Sequence, residues 1–98
     1  MSESVEYKSC DGKLFCVFSG KLDTSATTAI ERTLQAKAAE AAVPVVFDLA
    51  KSNYVSSAFL RICLRMAQQT REFSLINVEP SVKKVFMIAG FDQLMKID

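Results

Sequence analysis

Few residues in this chain have chemistry to offer. Ser56 and Ser57 stand side by side just ahead of a strongly apolar stretch, residues 58–70. A serine becomes a nucleophile only when a base is held within hydrogen-bond reach. The chain has no histidine, which removes the commonest such base and the commonest zinc ligand. Asp23, Asp48 and Ser57 can be drawn as a carboxylate–serine set, but only Lys21 stands at a motif position as a Ser–Lys base would. The glycines are Gly12, Gly20 and Gly90, and a Walker-type phosphate loop cannot be built from them. Cys10, Cys16 and Cys63 are odd in number and have no Cys-x-x-Cys spacing. They read as reduced, mostly buried thiols, neither a disulfide framework nor a metal site. The expectation is a protein with no catalytic residues, no metal and no cofactor.

The two serines offer a different chemistry. A helix N-terminus has backbone N–H groups without partners and a positive dipole end. Hydroxyls there serve as caps, or they accept a phosphate that the helix itself tolerates well. Arg61 lies four residues after Ser57, within reach of such a group. A phosphate on Ser57 adds about 1.5–2 negative charges without unfolding anything. A partner bound there through apolar contacts would have to desolvate that charge.

The elements that position these residues can be read in order. Residues 4–9 partly alternate apolar and polar, as a half-buried strand does. Asp11-Gly12 suits a tight hairpin turn, and residues 14–18 are apolar on both faces, as in an interior strand. Thr24 and Ser25 are good N-caps for a helix over residues 26–42, with Ile30, Leu34, Ala38 and Ala41 as a narrow apolar stripe. Residues 45–47 form a buried strand that Asp48-Leu49 ends, and residues 50–55 are a loop. A second helix spans residues 58–70, a further strand residues 73–78, and a short helix carries Val82, Val85, Phe86 and Ala89 before Gly90 stops it. Phe91, Leu94 and Ile97 form a last apolar patch, in a short turn or helix. The order ββαβαβα implies parallel pairing and right-handed crossovers. The fold class is α/β, one mixed sheet of four to five strands with helices chiefly on one face.

On a helical wheel of the second helix, Phe59, Leu60, Ile62, Cys63, Leu64, Met66 and Ala67 fill an arc of roughly 200°, while packing on a sheet needs only ~100° or somewhat more. One edge is left over, either Leu60/Leu64 or Ile62/Met66. It meets a neighbouring helix or another protein.

Composition bounds the class. The 98 residues are 50% hydrophobic and 23% charged, enough for one globular domain and too few for two. Lys+Arg is 12 against Asp+Glu 11, a net charge of +1, which argues against nucleic acid or an anionic membrane as the main partner. No apolar run reaches the length of a membrane helix, and the acidic, polar start Met1-Ser2-Glu3-Ser4 is unlike a secretory leader. A cytoplasmic protein is expected.

The sequence resembles the STAS domain family, specifically the bacterial anti-sigma factor antagonists. The likeness rests on Gly20-Lys21-Leu22-Asp23, Val46-Phe47-Asp48-Leu49 and Tyr54-Val55-Ser56-Ser57-Ala58-Phe59-Leu60-Arg61, with residues 82–90 and Gly90-Phe91 behind them. It covers nearly the whole chain, implying a single STAS domain over residues 1–98. Similar proteins bind an anti-sigma factor that is also a serine kinase, are phosphorylated at the start of the second helix, and then let go; a phosphatase resets them. Any nucleotide belongs to the kinase. By resemblance Ser57 takes the phosphorylated position. Ser56 takes one that is acidic in one subgroup and serine in another, and Asp23 and Asp48 take the places of aspartates near that serine. The partner-binding set is then Asp23, Asp48, Ser56, Ser57, Leu60, Arg61 and Leu64. Phe59 stands where the family motif has glycine, and on the wheel it turns into the core. The alternative is a STAS subunit of a signalling complex or an ABC lipid-transport system, docked permanently and never phosphorylated.

Overall fold

Asp11 and Gly12 both have positive φ, +53° and +73°, the combination that a primed two-residue hairpin turn requires. The turn folds β1 (Val5–Cys10) against β2 (Lys13–Ser19) as an antiparallel pair, with Cys10 opposite Lys13 and Val5 opposite Phe18. The computed structural model describes residues 5–41, 43–70 and 72–98. Ser4, the expected strand start, and Ala42, the expected helix end, lie outside the described residues, and so does the side chain of Ala41.

Helix and strand then alternate: α1 (Thr24–Ala41), β3 (Val45–Lys51), α2 (Ser57–Gln69), β4 (Phe73–Ile76), α3 (Pro80–Ile88), a 3₁₀ turn (Phe91–Gln93) and β5 (Lys96–Ile97). The sheet order is β1-β2-β3-β4-β5, parallel from β2 onward. Each crossover steps the same way across the sheet. Connections of one hand therefore put all three helices on one face.

That face holds the core. Phe18, Phe47 and Phe73 come from adjacent strands, and their rings meet edge to face with centroids 4.7 Å apart. Ile30 and Leu34 of α1, Phe59 and Met66 of α2, and Val82 and Phe86 of α3 close over them. The opposite face carries Phe15, Val17, Val46 and Ile76 among Glu6, Lys8, Asp48 and Lys96, by strand alternation.

Several expectations need correction. β4 ends at Ile76, short of the expected residue 78. Of the expected apolar face of α3 only Val82 and Phe86 are buried, Val85 and Ala89 being exposed. β3 does not end at Asp48-Leu49 but runs on to Lys51. Its register against β2 moves from Val17–Asp48 to Ser19–Lys51, so one extra residue bulges out and the strand resumes pairing. The C-terminal segment is not simply a turn or helix with one patch. Leu94 is 57% exposed, Met95 is buried instead, and Ile97 pairs with Leu75 as part of β5. Two residues are too few to show a strand's alternation in sequence; the open edge of β4 makes them one. Among the described residues no helix is long and apolar enough to cross a membrane.

Candidate functional site

The site is assembled by two loops lying side by side. The Ser56 N–H donates to the Leu22 carbonyl at 2.9 Å, and the Leu22 N–H donates to the Tyr54 carbonyl at 3.0 Å. Leu22 and Val55 form an isolated parallel bridge. Leu22 is fully buried, and the buried Thr27 hydroxyl donates to its carbonyl at 3.5 Å. The chain entering α1 is thereby fastened to the chain entering α2, so the two helices start next to each other. Asp23 follows Leu22 and Ser56 follows Val55, which brings Asp23 beside the serines.

The four candidate polar residues then part company. Asp23 caps α1: its carboxylate accepts from the Ala26 N–H at 2.9 Å, and its carbonyl accepts from the Thr27 N–H at 2.9 Å. Thr24 and Ser25, expected as the caps, are exposed inside the first turn instead. Ser56 caps α2 from an extended backbone conformation, φ −96° and ψ 168°. Its Oγ accepts from the Phe59 N–H at 3.3 Å, and only 8% of it is exposed. Ser57 is the first residue of α2 and is exposed. Because Ser56 does the capping, the Ser57 hydroxyl has no bond to make within its own helix end. Asp48 belongs elsewhere. Register puts it on the open face of the sheet, where its carboxylate accepts from the Ala50 N–H at 3.0 Å and the Asn77 Nδ2 at 3.1 Å.

The structure also decides which edge of α2 is left over. Ile62 and Met66 are sealed at 3% and 0% exposure, whereas Leu60 and Leu64 stay half-buried. The reason is α1, which lies along the first flank: Arg65 Nη1 reaches Glu31 Oε2 at 2.6 Å. Ser57, Leu60, Arg61, Leu64 and Gln68 therefore share one outward face by helical spacing. Arg61 is exposed and makes no ion pair with any described residue. Phe59 takes the expected course into the core, fully buried, with its ring 5.1 Å from that of Phe18 and 5.9 Å from that of Phe47.

Tyr54 was absent from the candidate set, yet it is 48% exposed two residues before the α2 cap. An aromatic residue inside an otherwise polar loop is the signal that could have found it. The buried thiols are inert. Burial pushes Cys16 up to about 12 and Cys63 well above its ordinary value, so neither forms a thiolate near neutral pH. Among the described residues no three metal-ligating side chains gather.

Known proteins resemble this chain in sequence and in fold. The family model described as "Mlab, STAS domain" matches residues 17–96. A protein of Bordetella bronchiseptica named "Putative anti-sigma factor antagonist BtrV" is 35% identical over 85 residues, spanning 83% of this chain and 73% of its own. An anti-sigma factor antagonist from Mycobacterium paratuberculosis superposes with a TM-score of 0.86 at 20% identity, covering 95% of this chain and 82% of that one. The Bacillus cell fate determinant SpoIIAA, solved in its phosphorylated form, superposes with a TM-score of 0.73 at 17% identity, covering 96% and 90%. The two structural likenesses speak for the fold alone; the family model and the Bordetella relative, each spanning most of the chain, go further. With the family model matching residues 17–96 and a relative 35% identical over most of the chain, the chain belongs to the STAS domain family.

Proposed function

We propose that this STAS domain is an anti-sigma factor antagonist acting in the cytoplasm, a regulatory binding protein and not an enzyme. Its partner is an anti-sigma factor with serine kinase activity. The kinase phosphorylates Ser57, and the charged antagonist dissociates until a phosphatase resets it. One observation carries the reading: Ser57 is an exposed hydroxyl at the first position of α2, released from capping by the buried Ser56. The name of the Bordetella relative and the phosphorylated state of SpoIIAA support it.

In this reading the partner lies on the outward face of α2. Leu60 and Leu64 supply apolar contact, Tyr54 an aromatic anchor and Asp23 the rim, while the buried Ser56 takes part by fixing the start of α2 beneath Ser57. A phosphate on Ser57 sits over the positive end of α2 with Arg61 one turn away, so its own helix accommodates it. The partner's apolar surface does not, because it would bury about 1.5–2 negative charges. Asp48 contributes from the opposite face of the sheet, by holding the β4–α3 turn through Asn77.

The test is direct. Protein mixed with the kinase partner and ATP should gain a single phosphate by mass spectrometry, and Ser57→Ala should abolish it. Unphosphorylated protein should capture the partner, and Ser57→Asp should lose it. A phosphate elsewhere refutes the assignment of Ser57. Equal capture by wild type and Ser57→Asp points to the permanently docked STAS subunit instead.

A further inference from the structure

The two edges of the sheet are protected very differently. β5 is two residues long, and short edge strands pair poorly with other chains. β1 is six residues long, lies at the other edge, contains no proline, and keeps an unbroken register with β2 from Val5 to Cys10. Its edge charges are Glu6 and Lys8, both exposed. A lone lysine on an edge strand discourages pairing. A glutamate two residues away changes the outcome, because an antiparallel partner strand can reverse their order.

The hairpin decides which main-chain groups face outward. A two-residue primed turn closes on a hydrogen-bonded pair, here Cys10 and Lys13. Antiparallel alternation then points the amides of positions 6, 8 and 10 toward β2 and those of 5, 7 and 9 toward the outer edge. A second copy of the chain pairing on this edge must set odd positions opposite odd positions. A two-fold axis at Glu6 would put Glu6 against Glu6 of the second copy, and an axis at Lys8 would put Lys8 against Lys8; like charges directly opposite are destabilising. An axis at Tyr7 sets Val5 opposite Ser9 and Glu6 opposite Lys8, twice over. In that register the Glu6–Lys8 pairs are the non-hydrogen-bonded ones, with Cα atoms about 4.5 Å apart and side chains closest.

We infer that two copies of this chain associate through antiparallel β1–β1 pairing about Tyr7, joining their sheets into one, with Glu6 of each copy against Lys8 of the other. Both charges lie on the open face of the sheet, on the side away from α2. The dimer therefore leaves Ser57 and the outward face of α2 accessible.

Sedimentation velocity over a rising concentration series at low salt tests this. Wild type should shift from monomer to dimer. Glu6→Lys places lysines at both positions and Lys8→Glu places glutamates at both, so each alone should dimerise at least about tenfold more weakly. An equimolar mixture of the two variants should recover association as a heterodimer, and Glu6→Lys with Lys8→Glu in one chain should recover the homodimer. Both positions are exposed, and far-UV circular dichroism checks that each variant is folded. A wild type that stays monomeric throughout overturns the inference. So does a dimer indifferent to these charges, or one that the mixture fails to rescue.

Discussion

The two faces of α2 are made of the same chain and do opposite work. Inward, Phe59, Ile62, Cys63 and Met66 are buried and lock the helix to the sheet. Outward, Ser57 and Arg61 are exposed and Leu60 and Leu64 only half-buried. The boundary falls between two neighbouring serines. Ser56 is drawn inside and spent on the Phe59 amide, and Ser57 is left at the surface. A modifiable residue next to a structural one of the same type can change charge while the fold keeps its cap.

Substitutions should therefore fall into a steep order of cost. Phe59→Ala removes a fully buried ring from the Phe18–Phe47 cluster and should lose about 3–5 kcal/mol of stability in a urea titration. A loss under about 1 kcal/mol would mean that the inward face is not what holds α2.

The buried thiols give the next effect, read as a pH dependence. The folded Cys16 ionises near 12 and the unfolded thiol near 9.0, so above pH 9 the unfolded chain releases its proton first. The stability this thiol contributes is whole below pH 9 and is lost as pH climbs toward 12, by about 1.4 kcal/mol per pH unit. Cys63 acts in the same direction. Denaturation midpoints at stepped alkaline pH should fall, and should fall less steeply in Cys16→Ala.

The smallest effects compare the serines themselves. Ser56→Ala strips the α2 cap and strands the Phe59 N–H, at a cost of about 1 kcal/mol; Asp23→Ala should cost α1 a similar amount. Ser57→Ala should stay within about 0.5 kcal/mol of wild type. Equal costs at the two serines would erase the distinction between them.

Much of this was legible in the sequence. The hairpin follows from Asp11-Gly12, because only residues that tolerate positive φ fit a primed turn. The burial of Phe59 follows from its place at the middle of an apolar arc. The role of Asp23 was not legible. Aspartate, threonine and serine all cap helices, and three good caps in a row, Asp23-Thr24-Ser25, leave the start of α1 undecided. The tie to Leu22 breaks the degeneracy, since its carbonyl is engaged by Ser56 and the helix must begin just beyond it. Asp48 resembled a member of the site by its place in a motif. Alternation along β3 places its carboxylate on the other face, where the side-chain amide of Asn77 from the β4–α3 turn holds it.

The division follows from the range of the forces involved. Periodicity, turn chemistry and capping act over a few residues, so the order of elements, the apolar face of each helix and the position of Ser56-Ser57 at a helix mouth were set by local sequence. Which edge of α2 stays open, where β3 and β5 end, and which serine is buried depend on contacts between segments far apart in the chain. α1 had to lie along Ile62 and Met66 before Leu60 and Leu64 could be the ones left outside.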